Sequence, residues 1–156
     1  NQILRSETVM AAGDSKIFNE FVLKERNQTY GVSDVKSLAF VSNTYASISA
    51  DLANPNLASV TVVSGGNVAA SYTLASAVMS RSTNVIKFDA TDIGTIAKNA
   101  SNPAGVRCAV VYNNTSASDD LIQIFDMTAD GTTAVDLVNN DFVFNFGTGG
   151  INTATV

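Results

Sequence analysis

The sequence contains no histidine and no tryptophan, and it has one cysteine and two prolines among 156 residues. Without histidine, the chain lacks the side chain most often used as a general base near neutral pH and the commonest zinc ligand. Catalysis by Ser-His-Asp or Cys-His groups is therefore excluded. Because Cys108 is the single cysteine, the disulfide framework of a small secreted protein is excluded as well. We expect stability to come from packing or assembly.

Charge is also scarce in this chain. Charged residues make up 15% of the sequence and the net charge is -5, whereas an average globular domain has about 25% charged residues. This acidic balance provides no general attraction to nucleic acid or anionic lipid.

Residues 1–7 lack the apolar run of a signal peptide, and no stretch approaches the roughly 18 apolar residues of a membrane span. We expect a soluble protein, made in the cytoplasm, that binds neither nucleic acid nor membrane.

Apolar residues are abundant, at 46% of the chain, and the length fits one domain that buries roughly 70% of its unfolded surface. From Gly31 onward, short runs of Val, Ile, Phe, Tyr and Thr alternate with Gly, Asn, Asp and Ser, which is typical of strands and turns. The predicted strands are residues 35–42, 45–52, 59–63, 68–74, 84–88, 106–112, 121–127 and 141–146. Since helices of ten to fifteen residues do not alternate with these strands, we predict a mainly β fold, an antiparallel β-sandwich or jelly roll.

The strongest local prediction is a hairpin. Residues 64–67 read Ser-Gly-Gly-Asn, which supplies the residues that tolerate positive φ in a tight turn. We therefore predict that residues 59–63 and 68–74 pair as strands on either side of this turn.

The first thirty residues differ from the rest, and we divide the chain into an N-terminal arm at 1–30 and a β-sandwich domain at 31–156. Apolar pairs four residues apart predict a short helix near 15–26, capped by Asp14 or Ser15. The apolar run at 21–23 fits a strand equally well. The arm also contains four apolar residues outside the β region, which are our candidate partner-binding residues: Ile3, Leu4, Val9 and Met10. They pack either on a neighbouring molecule or over one end of their own domain.

No segment predicts a catalytic residue, a cofactor or a metal site. The segment from Asp126 to Gly131 fails the test for a calcium loop because its twelfth position is Leu137 rather than Glu, although weak binding by scattered Asp oxygens stays open. Acidic pairs for glycoside hydrolysis can be nominated, but the sequence favours none of them: Asp136 with Asp141, and Asp89 with Asp92. Residues 147–150 lack the Lys that follows a phosphate loop. Cys108 lies in an apolar strand, where we expect a buried thiol.

Three segments of the C-terminal half resemble small structural proteins of tailed-bacteriophage virions. The first is residues 105–115, a predicted strand that ends in Tyr-Asn, and the second is residues 119–126, a predicted strand that ends in Phe-Asp. The third is residues 140–146 with 149–151, a strand of alternating aromatic residues that is followed by Gly-Ile. The resemblance spans roughly residues 84–151 and concerns strand endings. It implies a virion component, for which we expect a capsid decoration or cement protein on the capsid surface.

The expected partners are the major capsid protein or other virion proteins, together with further copies of the chain in a homo-oligomer, for which a trimer would suit local threefold sites. Two alternatives stay open. One is a neck or tail component, and the other is a carbohydrate-binding or receptor-binding module. An enzyme is the least favoured class, because the sequence shows no cluster of acids suited to catalysis.

Overall fold

The computed structural model describes residues 14–27, 33–146 and 150–155. This part of the chain has ten β-strands and one α-helix, and its strands form antiparallel sheets. The mainly β, antiparallel prediction is therefore confirmed, while the choice of sandwich or jelly roll stays a prediction. In chain order the elements are β1 (Ser15–Ile17), α1 (Asn19–Arg26), β2 (Lys36–Val41), β3 (Tyr72–Thr73), β4 (Val78–Ser82), β5 (Val85–Asp89), β6 (Gly94–Ile96), β7 (Cys108–Asn113), β8 (Asp120–Asp126), β9 (Phe142–Phe144) and β10 (Asn152–Thr155).

The central element is a five-stranded sheet with the order β1-β8-β7-β2-β3. Every residue of β2 and β7 is buried, because the sheet is covered on both faces. Strands covered in this way are apolar throughout rather than alternating. The predicted strands 35–42, 106–112 and 121–127 correspond to β2, β7 and β8.

One face of this sheet carries an aromatic layer. Phe40 of β2 packs edge-to-face on Phe142 and Phe144 of β9, with ring centroids 6.3 and 6.1 Å apart. Strand β9 pairs with β6 in a two-stranded sheet, so this small sheet covers the face that contains Phe40. On the opposite face, the amine of Lys16 lies over the ring of Tyr45, 4.2 Å from the ring centroid, in a cation–π contact.

The N-terminal region joins the same sheet. Residues 15–17, which we predicted as the start of a helix, form β1 and pair with β8. The helix begins only at Asn19, after Phe18, and no side chain caps it, so the predicted cap at Asp14 or Ser15 is wrong. Because Phe18 is fully buried, packing rather than a cap determines where the helix begins. Lys24 of α1 reaches Asp120 of β8 at 2.7 Å.

Two other strand predictions are wrong. Residues 45–47 form a 3-10 turn instead of a strand, and Tyr45 and Ile48, three positions apart, are the buried residues there. This spacing fits a 3-10 turn, in which positions i and i+3 share a face.

The turn at residues 65–68 is present, since Gly65 and Val68 exchange two hydrogen bonds of 2.9 Å. However, its flanks are mostly irregular and do not pair with each other as strands. Val62 and β3 each pair with β2 instead, and the bridge between Gly65 and Val68 closes the turn itself.

Candidate interaction surface

The most exposed apolar surface of the described chain lies on the β4–β5 hairpin, which we call the hairpin surface and define by Val78, Met79 and Val85. These side chains are 56%, 59% and 38% exposed. By strand alternation Val78 and Val85 project from one face of the hairpin and Met79 from the other. Strand β4 is the edge of the sheet β10-β5-β4, and no other strand within the described ranges pairs with its outer side. The hairpin therefore presents apolar side chains and an open backbone edge together.

The base of the hairpin is fixed to the body of the protein. Phe88 of β5 is buried, and its carbonyl accepts a 2.8 Å hydrogen bond from the Ile151 amide. Gly150 has φ +67 and packs so closely on β5 that a Cβ there would lie 2.7 Å from the Phe88 carbonyl oxygen. Lys87 pairs with Asp89 across 2.5 Å, and this bond lowers the pKa of Asp89. Val78 and Met79 lie opposite Asp89 and Phe88, so the most exposed apolar side chains are on the part of the hairpin that is fixed to the body of the protein.

A cleft lined by phenylalanine lies at the end of β8. We call it the aromatic cleft and define it by Phe125, Phe144 and Phe146, whose ring centroids are 5.3 to 6.1 Å apart. Its volume is about 270 Å³, and Ser15, Asp126, Met127, Asn145, Gly150 and Ile151 complete the lining. The tilted and edge-to-face ring contacts stabilise its wall.

A second cleft of about 360 Å³ lies beside β3 and includes Tyr72, Thr73, Thr91 and Asp92. Two of its polar side chains form hydrogen bonds within the protein. The Tyr72 hydroxyl accepts a hydrogen bond from the Ala69 amide at 2.9 Å, and the Asp92 carboxylate accepts one from the Phe146 amide at 2.8 Å. Both side chains therefore stabilise the local backbone by accepting hydrogen bonds from its amides.

A buried polar group lies on the face of the main sheet opposite the aromatic layer. Cys108 and Asp126 are cross-strand partners, and the amine of Lys16 donates a 2.8 Å hydrogen bond to the carbonyl of Tyr45. Burial raises the pKa of the Cys108 thiol to about 12, and the nearby charge of Asp126 adds to this effect. A nucleophilic cysteine needs the opposite shift, so this thiol is structural.

A charged cluster connects the C-terminal end of α1 with the start of β2. Burial raises the pKa of Glu25 and lowers that of Lys36. Asp34 accepts a 2.7 Å hydrogen bond from the Asn113 amide group, and the Lys36 amine donates to the Asp34 carbonyl at 3.2 Å. Perturbed pKa values also arise in structural ion networks, and neither cleft is lined by these residues.

Comparisons with protein-family models, curated proteins and solved structures found no match. No helix among the described residues is long and apolar enough to cross a membrane.

The acidic residues considered from sequence have local partners. The Asp130 carboxylate accepts hydrogen bonds from the amides and hydroxyls of Thr132 and Thr133, and these bonds lower its pKa. The Asp136 carboxylate accepts a hydrogen bond from the Asn139 side-chain amide, which lowers the pKa of Asp136. The Asp141 carboxylate accepts a hydrogen bond from the Lys98 backbone amide. Within the described ranges, no group of three or more acidic or cysteine residues is placed to hold a metal ion.

The four candidate partner-binding residues, Ile3, Leu4, Val9 and Met10, lie outside the described residues. Sequence reasoning missed the hairpin surface, because residues 78–82, which form β4, lie outside every predicted strand. One signal was present. The Thr83-Asn84 pair lies between two five-residue segments, and in the structure it forms a two-residue turn with Thr83 at φ 52. Turns of two residues are the commonest hairpin connections.

Proposed function

We propose that this chain is a structural protein of a bacteriophage virion and that it serves as a capsid decoration protein, bound in many copies to the assembled head. The hairpin surface is the observation that carries the proposal. Met79, at 59% exposure, lies on an edge strand, and soluble proteins usually protect such edges with charge, proline or a covering element. An edge with exposed apolar side chains suits a protein whose working state is an assembly.

The segments behind the virion resemblance also support this proposal. Strand β7 ends at Asn113, after Tyr112, and β8 ends at Asp126, after Phe125. Residues 142–146 alternate Phe with Val and Asn, and their rings form the aromatic layer over Phe40. Two of the strand endings named in the resemblance, at Asn113 and Asp126, are thus the ends of strands in the central sheet.

The proposed partner is the major capsid protein, with further copies of this chain as neighbours. Because Val78 and Met79 are 56% and 59% exposed, their burial against a partner would contribute about 1 to 2 kcal/mol for each side chain. Backbone pairing along β4 would add directional hydrogen bonds, as in strand addition to a sheet edge. Together these interactions favour a fixed orientation on a repeating surface.

The proposal is tested by adding purified chain to phage particles that lack it and measuring co-sedimentation. A variant with V78S and M79S should need at least tenfold more protein for half-saturation, because each 1.4 kcal/mol of lost binding energy is a factor of ten. The matched control is L23S on α1, where Leu23 is 52% exposed. The control should bind like the wild type. Equal binding by the wild type and the hairpin variant would contradict the role of the hairpin surface, and absence of binding by the wild type would contradict the decoration role.

A further inference from the structure

Lys36 and Asn113 face each other at one end of the central sheet. They lie directly opposite on β2 and β7, and both are buried, at 9% and 0% exposure. The Asn114 amide donates a 2.8 Å hydrogen bond to the Val35 carbonyl. Since bonded and non-bonded pairs alternate along an antiparallel ladder, Lys36 and Asn113 form a non-hydrogen-bonded pair, in which side chains lie closer together. The Cβ atoms of directly opposite residues are about 4.5 to 5.5 Å apart and share a face.

The side-chain amide of Asn113 is held at both ends. Its Nδ2 atom donates to the Asp34 carboxylate at 2.7 Å, and its Oδ1 atom accepts a 3.0 Å hydrogen bond from the Thr115 backbone amide. The Lys36 amine donates to the carbonyl of the same Asp34 at 3.2 Å. A backbone N–H on the amide oxygen stabilises the negative charge that develops there when a nucleophile adds to the carbon. The amide is therefore oriented and polarised beside a buried amine.

Glu25, near the C-terminal end of α1, supplies an acid beside this pair. Burial lowers the pKa of Lys36 and raises the pKa of Glu25, while the opposite charge of each residue opposes the shift of the other. Both shifts favour a neutral amine and a protonated carboxyl group. A neutral, desolvated lysine amine is a nucleophile, and a carboxylic acid can protonate a leaving group. The cluster thus has a nucleophile, an electrophilic carbon and a proton donor.

We propose that Lys36 and Asn113 join in an intramolecular isopeptide bond that links β2 to β7. The flexible four-carbon stem of lysine brings Nζ from the Asp34 carbonyl to Cγ of Asn113. The Nζ–Cγ bond forms, the Cγ–Nδ2 bond breaks, and ammonia leaves. Glu25 gives its proton to the departing nitrogen and takes one from the attacking amine. One amide replaces another, so the reaction needs neither an oxidant nor a cofactor.

The bond would give the chain a covalent link that its single cysteine cannot provide. Residues 36–113 span about half of the sequence, and closing so long a loop restricts the unfolded chain as a disulfide does. Strands β2 and β7 are neighbours in the central sheet, so the link would hold together the strands that form the core. The inference does not depend on the proposed virion role.

The test is mass spectrometry of the purified full chain after denaturation. We expect its mass to be lower than that of the unlinked chain by one ammonia molecule. Because succinimide formation at an asparagine also releases ammonia, the protein is digested as well. The digest should contain a branched peptide that joins the segment of Lys36 to the segment of Asn113. A wild-type chain of unlinked mass, or loss of ammonia without the branched peptide, would overturn the inference.

Variants assign the roles within the cluster. K36R keeps the positive charge but removes the nucleophilic amine, so it should have the mass of the unlinked chain. E25Q keeps the size of Glu25 but removes its acid, so the linked fraction should fall to about a tenth of the wild-type value or less. The matched control is K24R at the neighbouring position, where Lys24 pairs with Asp120 at 2.7 Å, and it should be linked like the wild type. Equal linkage in E25Q and the wild type would overturn the role of Glu25.

Discussion

Cys108 and Asp126 lie directly opposite each other on β7 and β8, and both residues are buried. Directly opposite residues of an antiparallel pair share a face of the sheet and lie about 5 Å apart. Burial, followed in importance by the charge of Asp126, raises the pKa of the Cys108 thiol to about 12. The cysteine is therefore held in its protonated form throughout the physiological range, and two consequences can be measured.

The folded protein should resist thiol reagents. Because the thiolate is the reactive form and Cys108 is inaccessible, an aromatic disulfide reagent at pH 8 should modify almost no protein over an hour. After unfolding in guanidinium chloride, one thiol for each chain should react within minutes. Rapid, complete reaction of the folded protein would contradict the buried, protonated state.

The same shift predicts a loss of stability at alkaline pH. The pKa of Cys108 is raised from its ordinary value of 9.0 to about 12 in the folded protein. Its contribution to stability is therefore fully present below pH 9 and is lost as the pH rises toward 12. Between pH 8 and 10.5, the free energy of unfolding should fall by about 2 kcal/mol more in the wild type than in C108A. Denaturant titrations at both values measure this difference, and parallel losses would contradict it.

Gly66 and Gly131 form a matched pair for a test of the turn at residues 65–68. Both have positive φ, at +56 and +80, but a Cβ at Gly66 would lie 2.5 Å from Asn102 Oδ1, while a Cβ at Gly131 would meet nothing within 4 Å. G131A should cost about 1 to 2 kcal/mol from backbone strain alone. G66A should cost about 1 to 3 kcal/mol more, because crowding is added to the strain. Equal losses in thermal or chemical unfolding would contradict this packing.

Asn102 connects three loops through one buried side chain. Its amide group donates to the carbonyls of Ala97 and Leu137 at 3.0 and 2.8 Å, and its oxygen accepts from the Asn67 amide at 2.7 Å. N102A should lower the free energy of unfolding by about 2 to 4 kcal/mol, since it removes these bonds from a buried site. N139A, in an exposed loop, should change it by less than about 0.5 kcal/mol. A small effect of N102A in denaturant unfolding would show that the loops do not need this connection.

The core strands were predictable from sequence, whereas the edges were not. Strands β2, β7 and β8 are covered on both faces, so their apolar runs differ strongly from the surrounding polar segments. Strands β4 and β10 are rich in Ser, Thr and Asn, and their strand conformation follows from pairing with β5 rather than from an apolar pattern. Residues 45–52 alternate like a strand, but burial of Tyr45 and Ile48 favours a turn.

The candidate interaction surface could not be predicted for a related physical reason. Sequence shows that Val78 and Met79 are apolar, but only the three-dimensional arrangement shows that they lie on an edge strand without cover. Similarly, Phe125 and Phe146 lie twenty-one positions apart, and the aromatic cleft between them requires the pairing of β1 with β8 and the return of the chain at Gly150. Contacts between distant segments are not encoded in any local pattern.

The most direct test of the central claim is immunogold electron microscopy of purified phage particles with an antibody against this chain, together with copy number from gel densitometry. A decoration role predicts label spread over the head at copy numbers on the order of hundreds, as expected for sites repeated by shell symmetry. Label confined to the neck or tail at about a dozen copies would contradict the decoration role. Absence of label from every particle would contradict the virion role altogether.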